Sequence, residues 1–104
     1  MVLQKVPSVK KLHKWQTGYV WLLWQFRKFV NLENQANKAK NEGMRKHWSG
    51  KRAHIWNKIL EHEKCVPKEM QLEKFTKTVM DMIKKGTPPK QILEGLGISK
   101  ERKR

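Results

Sequence analysis

The chain has 104 residues, with 24 Lys and Arg against 9 Asp and Glu, a formal net charge of +15 and a mean hydropathy of -0.84. That length supports one small domain, and so basic a surface seeks a polyanion. An intramolecular disulfide is excluded because Cys65 is the only cysteine. A membrane span is excluded because the longest apolar run, Tyr19 to Trp24, is far shorter than the ~18 residues a spanning helix needs.

Residues 1–14 alternate apolar and basic side chains around Pro7 and hold neither a helical nor a strand period. Residues 1–16 are therefore expected to form an extended basic arm carrying Lys5, Lys10, Lys11 and Lys14. Pro7 and the lysines after it interrupt the place where the apolar stretch of a secretory signal would lie. Residues 1–32 contain no Asp or Glu. Organelle-targeting segments and tails that thread into RNA share that composition.

Thr17 or Gly18 can open a first helix, whose apolar positions Tyr19, Leu22, Leu23, Phe26, Phe29 and Val30 keep the spacing of one face, with Trp21 and Trp24 on a flank. From Glu33 to Asn41 the apolar face disappears while helix-favouring residues continue. Gly43 weakens the helix, and Ser49-Gly50 is expected to break it. A second helix is expected from about Lys51 to Lys64, with Ala53, Trp56, Ile59 and Leu60 inward. A third begins near Pro67 and carries the stripe Leu72, Phe75, Val79, Met82 and Ile83. Lys84-Lys85-Gly86 supplies cations at the negative end of its dipole and a glycine for the left-handed cap.

Thr87-Pro88-Pro89 opens a short fourth helix with Ile92, Leu93 and Leu96, ended by Gly95 and Gly97. Ser99 to Arg104 form a basic tail. No strand pattern competes, so the expected fold is all-α: three to four short helices over residues 17–98, an extended basic N-terminal arm at 1–16 and a basic C-terminal tail at 99–104.

Basic and aromatic residues interleave in the first half of the chain, where Lys and Arg outnumber Asp and Glu by 12 to 2 in residues 1–52. Lys and Arg neutralise phosphates, while Trp and His rings can stack on unpaired bases. The expected RNA-contacting residues are Lys5, Lys10, Lys11, Lys14 and Trp15 in the arm, Arg27 and Lys28 in the first helix, and Arg45, Lys46, His47, Trp48, Lys51 and Arg52 in mid-chain. Lys100, Arg102, Lys103 and Arg104 form a terminal anchor. Trp15 and Trp48 are the expected stacking rings, and Trp56 is expected in the core.

His47, His54, His62 and Cys65 lack the paired spacing of a structural zinc site, and they read as surface imidazoles and one buried thiol. No nucleophile with a base and an oxyanion element is evident, nor a glycine-rich phosphate loop. The expectation is therefore no catalysis, no cofactor, no metal and no small-molecule substrate. Residues 82–99 resemble the first part of a helix-turn-helix, but only Lys100 to Arg104 follow the turn, too few for a recognition helix. A DNA-binding module in residues 68–104 is one alternative. Another is a scaffold or assembly subunit whose Tyr19 to Val30 face lies on a partner protein or an organelle membrane.

Trp15 and Gly18, Phe29-Val30-Asn31-Leu32, His47-Trp48, Phe75, Pro88-Pro89, and Leu93 with Leu96 follow one another in an order that resembles the mitochondrial ribosomal protein 63 family of the large subunit. The resemblance implies a structural constituent of the ribosome in the mitochondrial matrix, with rRNA and neighbouring ribosomal proteins as partners and no obvious homo-oligomer. The nucleus or the cytosol is the alternative location.

Overall fold

A computed structural model describes the backbone of residues 7–68 and 70–98 and the side chains of residues 11–68 and 70–98. The described chain is all-α, with α1 (Pro7–Lys38), α2 (Glu42–Glu63), α3 (Leu72–Lys84) and α4 (Pro89–Gly95). The expected arm at 1–16 is corrected from Pro7 onward, because α1 starts there and runs for 32 residues. Proline suits a first helical turn. Leu12 and Trp15 extend the stripe of Tyr19, Leu22 and Leu23 by about two more turns, and burial of Trp15 rewards the helix. Lys5, Lys100, Arg102, Lys103 and Arg104, the side chain of Lys10, and the expected terminal tail lie outside the described residues.

The first break falls at Ala39 to Asn41 rather than at Ser49-Gly50. Lys40 takes a left-handed φ of 58°. The Lys40 and Asn41 N–H groups donate to the carbonyls of Asn37 and Ala36 at 3.0 and 2.9 Å, a left-handed cap that satisfies the end of α1. The Asn41 side chain then accepts from the Met44 N–H at 3.2 Å and starts α2. Gly50 thus sits inside a helix of 22 residues. Gly86 and Gly97, with φ of 88° and 74°, make the same left-handed caps after α3 and α4, where Thr87 N–H donates to Met82 and Ile98 N–H to Leu93.

All three other helices pack on α1. α2 runs antiparallel to it, joined by Trp15 against His62 at one end and Phe29 against Trp48 at the other. α3 and α4 cover a second face of α1. Trp15, Tyr19, Val20 and Leu23 meet Ile55 and Ile59 of α2, Val79 and Ile83 of α3, and Ile92, Leu93 and Ile98 at the end of the chain. The distal parts of α1 and α2 project beyond this core as a two-helix hairpin. The longest dimension is 61 Å and the Cα radius of gyration 16.2 Å, against about 13 Å for a compact chain of this size. Among the described residues, no helix is long and apolar enough to cross a membrane.

Candidate nucleic-acid interface

α2 turns toward solvent a stripe that helical geometry builds from spacings of four, three and four residues: His47, Lys51, His54 and Lys58, all exposed, with Lys46 beside them. At 1.5 Å per residue it runs about 16 Å. No Asp or Glu occurs between Gly43 and Leu60. The two carboxylates nearest the hairpin tip are already engaged. Glu42 accepts from Arg45 at 2.5 Å, which holds its carboxyl below the usual range and pushes the guanidinium up. Glu33 accepts from Arg52 at 2.6 Å across the hairpin. Lys46, Lys51 and Lys58 make no ion pair among the described residues.

The structure sorts the expected contact residues. Lys46, His47 and Lys51 stand in the open on one helix. Arg45 and Arg52 belong to the hairpin's own ion pairs and offer a phosphate less. Trp48 is half-buried, with one face on Phe29 at 5.7 Å and His47 edge-on at 4.7 Å. Lys11 and Lys14 are exposed beside an open cavity of about 670 Å³ floored by Trp15, Gly18 and His62. Lys28 lies on the uncovered face of α1 with Trp21 and Trp24, and half-buried Arg27 lies beside it.

Trp15 is corrected: it is buried, not free to stack on a base. Its rings lie 4.7 Å from Tyr19 and 4.8 Å from His62. Its indole N–H donates to the His62 carbonyl, and the His62 Nε2–H donates to the Trp15 carbonyl, each at 2.8 Å. The second bond fixes the proton on Nε2, since a carbonyl only accepts. His62 is therefore a packing residue rather than a surface imidazole. Trp56 is corrected in the other direction. It is 46% exposed, leaning on Phe26 at 5.4 Å, because Ile55 and Ile59 take the inward positions. Cys65 is exposed, not buried. Among the described residues, no group of three His, Cys, Asp or Glu side chains could hold a metal.

Sequence reasoning left His54 and Lys58 out of the contact set although both fall inside the expected second helix with Lys51, because it followed that helix's apolar side and not its polar one. The start at Glu42 adds His47 to the row of 51, 54 and 58. Sequence reasoning also placed Trp21 and Trp24 on a flank and did not count them among the stacking rings. Comparison with protein-family models, curated proteins and solved structures finds no match. A helix presenting spaced cations that make no ion pair among the described residues is suited to phosphates.

Proposed function

We propose that this chain is a non-catalytic ribonucleoprotein subunit, a structural protein of the mitochondrial ribosome's large subunit, that lays α2 along rRNA phosphates. The observation that carries the reading is the acid-free stripe His47, Lys51, His54 and Lys58, whose lysines are left without partners while the nearby carboxylates are held by Arg45 and Arg52. RNA duplexes are held mostly through phosphates and shape, which such a stripe can contact without reading sequence. The packed core anchors the hairpin that carries the stripe. The DNA-binding alternative finds less support, because α4 has seven residues and buries Pro89, Ile92 and Leu93.

The test is RNA affinity as a function of salt for the full chain and for Lys51→Ala/Lys58→Ala. Taking away one lysine–phosphate pairing should lower the slope of log affinity against log salt by about 0.7–0.9, so the double variant should show a decrease of about 1.4–1.8. A slope that does not change would overturn the assignment of α2. Tagged protein should also sediment with large ribosomal subunits of mitochondria after a high-salt wash, and failure to do so would remove the ribosomal part of the reading.

A further inference from the structure

The face of α1 turned away from α2 carries Lys14, Thr17, Trp21, Trp24, Lys28, Asn31 and Gln35 at helical spacing, without a carboxylate, and Trp24 at its edge is half-buried against the core. Trp21 is 38% exposed and meets Trp24 edge to face at 6.1 Å. The Lys28 ammonium lies 5.4 Å from the centre of the Trp24 ring. From Trp24 a groove of about 300 Å³ runs along Arg27, Lys28, Asn31 and Gln35, walled on its far side by Gly86 at the end of α3. Arg27 is half-buried there and makes no ion pair among the described residues. Exposed Lys84 and Lys85 flank that far wall.

We propose that this groove holds an unpaired nucleotide of the RNA, its base on the Trp24 ring and its phosphates on Arg27 and Lys28. The inference rests on the RNA-binding reading and adds a second, single-strand site to it. An indole in a groove at the small end of ligand-cavity volumes admits one flat ring and not a duplex. In the free protein Lys28 holds the place of that ring by a cation–π contact. An arriving base displaces the ammonium, which moves to the adjoining phosphate. Asn31 and Gln35 offer both donors and acceptors to a base edge and so impose no single base. Gly86, left-handed, lines the groove with backbone alone.

The experiment compares a blunt RNA stem-loop with the same stem-loop carrying a single-stranded uridine tail, by anisotropy and tryptophan fluorescence. The tail should raise affinity roughly fivefold to a hundredfold, as one stacked base does, and quench tryptophan emission. Trp24→Leu should remove the gain and Trp24→Phe should keep it, with thermal melts by circular dichroism showing that both variants fold. Lys51→Ala/Lys58→Ala should weaken both RNAs alike and leave the gain in place. An unchanged gain in Trp24→Leu, or no gain from the tail while the stem-loop still binds, overturns the nucleotide site alone. Competition by polyglutamate as effective as that by the tailed RNA also overturns it, in favour of an acidic protein segment. Absence of binding to either RNA overturns the RNA reading itself.

Discussion

Gly18 faces His62 so closely that a Cβ built on it lies 3.0 Å from the imidazole Cε1. His62 cannot retreat without giving up its bond to the Trp15 carbonyl. Gly18→Ala should therefore lower stability by about 1 kcal/mol or more, the cost of overpacking exceeding alanine's helix preference. Gly50 is the internal contrast, because nothing lies within 4 Å of its Cβ position. Gly50→Ala should raise stability by about 0.5–1 kcal/mol. Opposite shifts in the urea midpoint check the pair; two shifts of the same sign would contradict the close approach at Gly18.

Tyr19 supplies a second residue-level test. It is 1% exposed, its hydroxyl donates to Glu63 Oε2 at 2.6 Å, and Thr76 Oγ1 lies 3.2 Å away. Burial, with the Glu63 carboxylate beside it, pushes the phenol up to about 12 from 10.0. A raised pKa means that the neutral phenol is favoured on folding. The stabilisation is whole below pH 10 and lost as pH rises toward about 12. Since this is the only tyrosine, near-ultraviolet tyrosinate absorbance reports it alone, and the folded protein should titrate above the urea-unfolded one. Tyr19→Phe should cost about 1.5–3 kcal/mol at neutral pH, because the half-buried Glu63 carboxylate loses a charge-assisted bond.

The turn between α1 and α2 is decided at the scale of the element. A non-glycine residue in the left-handed region costs about 1 kcal/mol, so Lys40→Gly should stabilise the protein by up to that amount. Asn41→Ala should destabilise it by about 1 kcal/mol through loss of the cap to Met44. Thermal melts of the two variants check this, and equal effects would place the turn elsewhere. The sequence signals here were misleading for a physical reason. Ser49-Gly50 has the composition of a break, yet Trp48, Arg52 and Ile55 on either side of it pack on α1, and that packing outweighs one glycine's helix cost. Lys40 carries no composition signal for a left-handed cap at all. After α3 and α4 the caps fall on Gly86 and Gly97, and there the expectation of a glycine stop was met.

At the scale of the whole molecule, burial is uneven along α1 and α2. Val20, Ile59, Val79 and Ile92 are at most 1% exposed, whereas residues 37–47 contain no buried position. Native-state hydrogen exchange should therefore run fastest by local opening at the hairpin tip and slowest around Val20 and Ile59. Uniform protection along both helices would show that the hairpin opens only with the core.

Charge, the all-α class, the stripe and glycine stop of α3 though not its start, which falls at Leu72 and not near Pro67, and the short Pro-Pro helix were legible in the sequence, because each depends on composition, periodicity or a backbone conformation that particular residues favour. The sequence also located the basic positions Lys46, His47 and Lys51. Only the tertiary structure decided that Trp15 is core and Trp56 is not, that residues 7–16 continue α1, and that Lys51 and Lys58 stand free while Arg45 and Arg52 are spent on ion pairs. Those outcomes depend on which residue of another helix lies opposite, and helical periodicity in one segment carries no record of its neighbour.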